Sequence, residues 1–267
     1  MPNDLSAILS ASSDPLAIFT DFDGTLVEIA PSPDAVMVPE GLQDRLQALH
    51  GALGGALAII SGRTISDIDH FLPGQNLSVT GSHGAESRHE GTLKGPSPDQ
   101  IADAQAIRAK IETAMGNQDG ILIESKPTGV AVHYRAAPDQ RERVETTMAA
   151  ALSDFPDFHA IAGKKVVEAR PRGADKGQAL RSLMQVKPFA GRTPVFIGDD
   201  ITDEDGFVAA ASLGGFGIKI GAGDTKARFR LADITVLYAY FDALTEGQAR
   251  HAQRAPATGV DQESTAK

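Results

Sequence analysis

Short apolar runs alternate with amphipathic segments in the first and last parts of the chain. Residues 16–19, 56–60 and 194–197 are such runs, and leucines between residues 42 and 53 recur at helical spacing. An apolar run bounded by turn residues is typical of a buried parallel strand, and strands that alternate with helices predict a parallel sheet with right-handed crossovers. Ligands of such sheets bind at the carboxyl ends of the strands.

The pattern changes between about residues 83 and 170, where hairpin-like strands alternate with helices. Two helices are expected, near residues 98–115 and 138–153, and strand pairs are expected near 120–135 and 157–170. Antiparallel hairpins with intervening helices indicate an α+β insertion rather than a continuation of the parallel sheet.

These patterns predict an α/β fold with two parts. Residues 1–81 and 172–246 are expected to form a Rossmann-like parallel-sheet core, and residues 82–171 an inserted α+β cap domain. The core is expected to finish with a strand near 234–236. Residues 247–267 are rich in Gln, Ala, Arg, Thr and Ser, a composition that favours a disordered tail.

The composition is that of a soluble globular protein of 267 residues, with 42% hydrophobic and 22% charged side chains and no cysteine. Disulfides, zinc–thiolate sites and a cysteine nucleophile are therefore excluded. The net charge of −10 argues against nucleic-acid or anionic-membrane binding. The sequence has neither a signal-peptide pattern nor an apolar stretch long enough to span a membrane. We expect a cytoplasmic protein in which any anionic small substrate needs a local positive site.

Two acids close the first apolar run, in the segment Phe19-Thr20-Asp21-Phe22-Asp23-Gly24. Because strand side chains alternate, Asp21 and Asp23 point to the same side and can meet one ligand. One carboxylate, already ionised at neutral pH, can act as a nucleophile if a cation screens it from an anionic substrate, and the other can carry the proton. The alternative is an Asx-rich turn at a strand end, which is a common structure.

A second acidic loop follows the apolar run that ends at residue 197. Its sequence, Gly198-Asp199-Asp200-Ile201-Thr202-Asp203-Glu204-Asp205, places several carboxylates at another strand end. Oxygen ligands from two strand ends suit Mg²⁺, which takes one or two carboxylates together with water and substrate phosphate. Asp21 and Asp199 are the predicted metal pair. Helix N-capping is the other interpretation of these acids, and it explains Glu204 or Asp205.

Two further residues can hold a phosphoryl group between these acidic loops. Ser61 ends the apolar run 56–60 and begins a turn into a helix, where its hydroxyl and nearby backbone N–H groups can bind a phosphoryl oxygen. Lys176 is expected at the first turn of a helix, where a cation opposes the helix dipole and is unfavourable for stability. That placement favours a functional role. A helix cap and a solvated lysine are the ordinary alternatives.

The strand end with Asp21 and Asp23, the strand end with Ser61, the helix with Lys176 and the acidic loop with Asp199 follow one another along the chain. In this order they resemble the haloacid dehalogenase-like (HAD) phosphatases. The resemblance implies that Asp21 attacks phosphorus and that Asp23 protonates the leaving alcohol and later activates water. It also implies a Mg²⁺ ion held by Asp199, Asp21 and the backbone carbonyl of Asp23. Ser61 and Lys176 would hold the phosphoryl oxygens, and phosphoryl transfer depends on such positioning and charge stabilisation.

Segments of the predicted cap make the resemblance more specific. They are Gly84-Ala85-Glu86, Glu124-x-Lys126, His133-Tyr134-Arg135, and Lys164 with Val166-Val167-Glu168-Ala169-Arg170-Pro171. With these segments the chain is similar to the trehalose-6-phosphate phosphatases over about residues 16–206. The residues that this resemblance places against the disaccharide are Glu124, Lys126, Arg135, Lys164 and Glu168, with His83 and Gly84 approaching from the hinge side.

The strand period gives the sugar contacts a physical basis. Glu124 and Lys126 share one strand face, and Glu168 and Arg170 share another. A sheet face of mixed charge can hydrogen-bond the many hydroxyl groups of a sugar. A solvated sheet face with cross-strand ion pairs is the other interpretation, and for His133 and Arg170 a packing or ion-pair role stays open.

The resemblance implies a Mg²⁺-dependent phosphatase that converts trehalose 6-phosphate and water to trehalose and phosphate through an aspartyl-phosphate. The core motifs act on the phosphoryl group alone, so they leave open a capped phosphatase for sucrose phosphate or glucosylglycerol phosphate. A phosphomutase and a noncatalytic sugar-phosphate sensor are further alternatives. The implied partners are a small-molecule sugar phosphate and, as a functional link, a trehalose-phosphate synthase.

Overall fold

A computed structural model describes residues 8, 14–30, 32–116, 118–163, 165–173 and 175–254, with side chains left out at 33, 83 and 248–254. Lys164 lies outside the described residues, and so does the predicted tail from residue 255 onward. Among the described helices, none combines the length and the apolar character that a membrane crossing requires.

Strands and helices alternate along most of the chain. The strands are β1 (Leu16–Thr20), β2 (Leu57–Ile60), β3 (Ser78–Gly81), β4 (Glu86–His89), β5 (Thr92–Lys94), β6 (Leu122–Lys126), β7 (Gly129–His133), β8 (Phe158–Gly163), β9 (Val166–Pro171), β10 (Thr193–Gly198), β11 (Phe216–Ile220) and β12 (Phe229–Leu231). The helices are α1 (Leu42–Ala52), α2 (Ile65–Phe71), α3 (Pro98–Met115), α4 (Arg141–Leu152), α5 (Lys176–Leu183), α6 (Glu204–Ser212) and α7 (Ile234–Arg254). Short 3₁₀ turns occur at Pro33–Ala35, Ser82–Gly84, Pro138–Gln140 and Ile201–Asp203.

An eight-stranded sheet organises the core in the order β12-β11-β10-β1-β2-β3-β4-β5. The strands from β12 to β3 pair in parallel, and β4 and β5 add an antiparallel edge. β1 lies between β10 and β2, and its apolar side chains are buried, as expected for a central parallel strand. Helix α1 packs against α7, and α5 packs against α6. The predicted α/β fold with a parallel sheet is confirmed.

A four-stranded antiparallel sheet in the order β6-β7-β9-β8 forms the cap. Helices α3 and α4 pack against each other and against this sheet, and they bury a second apolar cluster that includes Ile107, Val132, Met148 and Phe158. The cap therefore has its own hydrophobic core. Polar side chains such as Glu124 and Glu168 belong to the sheet but not to that cluster.

Two parts of the chain differ from the sequence-based expectation. Residues 86–94, assigned to the cap, instead extend the edge of the core sheet as β4 and β5, because a tight hairpin returns the chain alongside β3. The strand predicted near 234–236 is wrong, since α7 begins at Ile234. In α7, residues 237, 240, 241 and 244 are apolar, buried and helically spaced. The helix continues to Arg254, so residues 247–254, predicted as part of the tail, are described as helical.

Candidate active site

Neighbouring strands of the core sheet end at the same edge and bring three predicted residues together. Asp21 follows β1, Asp199 follows β10 and Ser61 follows β2. The backbone N–H of Asp21 donates to the carbonyl of Ile197 at 2.9 Å, and that of Ser61 donates to Thr80 at 2.9 Å, so the strand ladders continue into both loops. The loops are thus positioned by the hydrogen-bonded central strands of the core sheet.

Lys176, the first residue of α5, is only 2% exposed. Its Nζ lies 2.9 Å from Asp21 Oδ1 and 2.7 Å from Asp203 Oδ1. Burial alone would lower the pKa of Lys176, but the carboxylates of Asp203 and Asp21 outweigh it and hold the pKa above its ordinary value. Asp175 caps the helix by accepting from the Gln178 N–H at 2.7 Å. The lysine is therefore a fixed cation beside the predicted nucleophile.

Asp203 is a residue of this site that the sequence analysis did not assign. It is fully buried, and while Oδ1 accepts from Lys176, Oδ2 accepts from the backbone N–H groups of Asp199 and Asp200, each at 2.9 Å. It thus fixes the acidic loop and the lysine at once. The only sequence signal was its place in the acidic run, where N-capping explained the acids equally well.

An oxygen-rich group of Asp21, Asp199 and Asp203 can hold a cation, since each offers a carboxylate oxygen within 4.8 Å of the others. Burial raises the pKa of Asp21 to about 8; Lys176 acts against this shift and Asp203 adds to it. Burial, with Asp203 next, raises the pKa of Asp199 to about 6. Crowded carboxylates that resist ionisation are the setting in which a divalent cation is stabilising. These residues therefore fit a metal ion.

The backbone beside this group leaves no room for a larger side chain. Gly24 has a φ of +76°, and a Cβ built on it would lie 2.2 Å from Asp199 Oδ2. Thr25 Oγ1 donates to Asp199 Oδ1 at 3.3 Å, and Lys219 Nζ donates to the Asp199 carbonyl. The loop after β1 therefore closes directly onto the acidic loop after β10.

Arg63 holds the side chain of Asp23, the predicted proton carrier. Its Nε and Nη2 donate to the two carboxylate oxygens of Asp23 at 2.6 and 2.9 Å, and its backbone N–H donates to Ser61 Oγ at 3.2 Å. Such a two-point contact fixes both the position and the plane of a carboxylate. The sequence analysis assigned no role to Arg63, because nothing in the local pattern links it to a residue forty positions earlier.

A cavity of about 740 Å³ opens above these groups, and the β6 edge of the cap forms its opposite wall. Glu124 and Lys126 line it from the cap side. His133 Nε2 lies 2.8 Å from Glu124 Oε2, and this hydrogen bond is the main cause of a lowered Glu124 pKa. Lys126 Nζ lies 2.9 Å from Glu168 Oε1. The cap wall therefore presents one acidic and one basic side chain to the cavity.

The predicted site residues fall into two groups. Those lining the 740 Å³ cavity are Asp21, Asp23, Ser61, Lys176, Asp199, Glu124 and Lys126. Of the others, Glu168 is buried and contacts Lys126, Arg135 is exposed beyond the end of β7, and Gly84 lies in the 3₁₀ turn after β3. Neither Arg135 nor Gly84 lines this cavity, whereas Ser82 does. The side chain of His83 and all of Lys164 fall outside what the structure describes.

Comparison with known proteins gives a consistent result. The family model described as trehalose-phosphatase matches residues 19–235. The chain is 40% identical over 234 residues to the trehalose-6-phosphate phosphatase of Escherichia coli strain K12, covering 86% of both proteins. It is 41% identical over 220 residues to a probable trehalose-phosphate phosphatase of Sinorhizobium fredii, covering 82% of each.

Solved structures share this architecture. The crystal structure of a trehalose-6-phosphate phosphatase related protein superposes with a TM-score of 0.70 at 26% identity, covering 89% of this chain and 99% of that one. The C-terminal domain of the Candida albicans trehalose-6-phosphate phosphatase gives a TM-score of 0.75 at 20% identity, covering 90% and 96%. At that identity the second match supports the fold alone.

Proposed function

The chain belongs to the trehalose-phosphatase family, and from that premise we propose that it hydrolyses trehalose 6-phosphate to trehalose and phosphate with Mg²⁺ as its metal ion. One observation carries the proposal. Asp21 lies 2.9 Å from a buried lysine and within reach of two further carboxylates, on the floor of a cavity whose far wall is the mixed-charge edge of the cap. This floor suits a phosphoryl group, and this wall suits a polyhydroxylated leaving group.

In the first step a carboxylate oxygen of Asp21 bonds to phosphorus while the bond from phosphorus to the sugar oxygen breaks. The Asp23 carboxyl group gives its proton to that oxygen, so trehalose leaves as a neutral alcohol. Lys176 and Ser61 face the same cavity and would bind the phosphoryl oxygens. The product of this step is an aspartyl-phosphate on Asp21.

In the second step water attacks the phosphorus of the aspartyl-phosphate and gives a proton to Asp23, which regenerates both aspartates and releases inorganic phosphate. Arg63 keeps the Asp23 carboxylate in one orientation beside Ser61, and a fixed orientation favours proton transfer at that group. Arg63 is thus proposed as a positioning residue.

Asp21 and Asp199, with the Asp23 carbonyl, would hold the Mg²⁺ ion, whose charge would offset the repulsion between carboxylates and phosphoryl oxygens. Both oxygens of Asp203 already accept hydrogen bonds, so its proposed role is to orient the loop and Lys176. The raised pKa values of Asp21 and Asp199 support the assignment, because burial and the neighbouring carboxylates outweigh the charge of Lys176 and disfavour the ionised form of each group.

The cap is proposed to recognise the sugar through Glu124 and Lys126, with Glu168 orienting Lys126 from behind. Contacts from Arg135, Lys164, His83 and Gly84 rest on the family resemblance. Arg135 is exposed, so its contact requires the cap to approach the core. We place the start of the cap after β5 and its end near residue 171, with the core on either side. A functional link to a trehalose-phosphate synthase, as the supplier of substrate, completes the proposal.

The test is phosphate release from trehalose 6-phosphate, sucrose 6-phosphate, glucose 6-phosphate and glucosylglycerol phosphate, each with Mg²⁺ or EDTA. We expect a Mg²⁺-dependent kcat/KM at least about a hundredfold higher for trehalose 6-phosphate, equivalent to about 2.7 kcal/mol. The Asp21→Asn variant should bind this substrate without turnover. Similar rates on all four compounds would reject the substrate, and phosphate release by Asp21→Asn would reject the nucleophile.

A further inference from the structure

A second cavity, of about 320 Å³, separates the cap from the core beside the catalytic cavity. The two cavities share Lys176 and Thr202 as wall residues. On the cap side the second cavity is lined by His159 of β8 and Arg170 of β9. Arg172, in the connection from β9 to the core, also lines it and is held against the cap by its backbone N–H, which donates to the Asp157 carbonyl. This gap therefore lies where the cap would meet the core if the two approached each other.

The cap wall carries hydrogen-bonding atoms without partners. His159 and Arg170 lie directly opposite each other on β8 and β9, so their side chains share one face of the cap sheet. In the described part of the chain three buried side-chain nitrogen or oxygen atoms lack a partner, and two of these are His159 Nδ1 and Arg170 Nε. A buried polar atom without a hydrogen-bond partner is destabilising, so this face is incomplete as it stands.

The core wall carries the complementary charge. Asp175 and Asp205 line the same cavity opposite the cap. None of the ion pairs formed among the described residues involves either aspartate or Arg172. Asp175 uses Oδ1 to cap α5, and Arg172 uses Nε to donate to the Pro156 carbonyl at 2.9 Å. Cationic groups of the cap thus face carboxylates of the core across a gap.

The incomplete cap face is connected to the sugar side of the catalytic cavity. Arg170 Nη2 lies 2.6 Å from Glu168 Oε2, and Glu168 Oε1 lies 2.9 Å from Lys126 Nζ. Lys126 lines the catalytic cavity. A movement that brings Arg170 toward the core therefore brings the sugar-facing lysine with it.

We propose that His159, Arg170 and Arg172 dock against Asp175 and Asp205 when the cap closes, and that they are positioning residues for the reaction. Docking gives the unpaired nitrogens hydrogen-bond partners and pairs the charges that now face each other. It also narrows the catalytic cavity, because both cavities lie in one cleft and share Lys176. The proposal rests on the proposed function, since closure serves hydrolysis of the sugar phosphate.

A double-mutant cycle tests the pair of Arg172 and Asp205. Arg172→Gln and Asp205→Asn should each lower kcat/KM for trehalose 6-phosphate about five- to tenfold, mainly through KM, because substrate binding is coupled to closure. The double variant should lose about as much as either single variant, since both remove one interaction. The control is Arg108→Gln, which removes an exposed cap ion pair with Glu112 away from the cleft and should leave kcat/KM unchanged. Fully additive losses, or losses below about twofold, would overturn the proposal.

A distance measurement tests docking without reference to catalysis. The chain has no cysteine, so Gln47→Cys on α1 and Gln105→Cys on α3, both exposed, can carry a pair of spin labels reporting the separation of core and cap. In wild type without ligand, the short-distance population should fall as NaCl rises from about 50 to about 500 mM, because salt screens charge pairs. Arg172→Gln should abolish this salt dependence. A spin-label distance distribution that changes with neither the salt concentration nor the substitution would overturn docking. Failure of the wild type to release phosphate would overturn only the proposed function.

Discussion

Replacing Asp203 with Asn should damage both the stability and the activity of the protein, although the two side chains have nearly the same shape. The Asp203 carboxylate is fully buried and accepts on both oxygens, from the Lys176 ammonium at 2.7 Å and from two backbone N–H groups at 2.9 Å. An amide has only one acceptor oxygen. Its NH₂ group would face another donor, either the Lys176 ammonium or the backbone N–H groups of the acidic loop.

The magnitude follows from these contacts. Removing one partner of a buried charge pair costs about 3–5 kcal/mol. Asn keeps one acceptor oxygen and therefore retains part of this stabilisation, so we expect a loss of about 3 kcal/mol in the free energy of unfolding. For a chain of this size that corresponds to a fall in Tm of about 6–12 °C. Because Lys176 and the loop of Asp199 lose their common anchor, kcat should fall by about a hundredfold or more.

Urea unfolding followed by far-ultraviolet circular dichroism measures the stability, since the chain has no tryptophan to serve as a fluorescent probe. Phosphate release measures the activity. The matched control is Asp224→Asn, the same chemical change at an exposed loop position, which should leave both quantities unchanged. A loss below about 1 kcal/mol for Asp203→Asn, together with activity within about twofold of wild type, would refute the inferred role of Asp203.

Three further predictions follow from the site. Arg63→Gln should lower kcat at least about tenfold with little change in KM, because Asp23 loses its two-point contact. The control Arg45→Gln removes a similar contact with Asp242 on the surface, and an equal loss of kcat there would contradict the assignment. The folded-state pKa of Asp21 is about 8 against an ordinary 3.8, so the folded protein binds the extra proton and, in EDTA, its stability should fall as pH rises from about 4 to about 8. Urea midpoints at pH 5 and pH 8 should show a larger fall in wild type than in Asp21→Asn, which keeps only the smaller contribution of Asp199. Equal falls in the two proteins would disprove the Asp21 shift. Gly24→Ala should abolish measurable turnover, because a methyl group there would lie 2.2 Å from a carboxylate oxygen of the acidic loop and the φ of +76° disfavours alanine. Turnover near the wild-type rate would mean that the loops after β1 and β10 move apart freely.

The sequence was most informative where structure depends on near neighbours. The apolar runs predicted the central parallel strands, and two acids spaced on the strand period placed Asp21 and Asp23 at a strand end. Adjacent parallel strands end at one edge, so the meeting of Asp21 with Asp199 and Ser61 also followed from the pattern. Motif order then identified the family, and the matching family model bears this out.

The sequence alone determined the strand-end residues and the family, because strand period, turn chemistry and motif spacing act over a few neighbouring positions. Only the tertiary structure decided which long-range partners hold those residues. Arg63 meets Asp23 across 40 positions, and Lys176 meets Asp203 across 27. It also decided that residues 86–94 join the core sheet and that α7 replaces the expected last strand. Such contacts arise when packing brings distant segments together and buries their charges, and no local pattern carries that information.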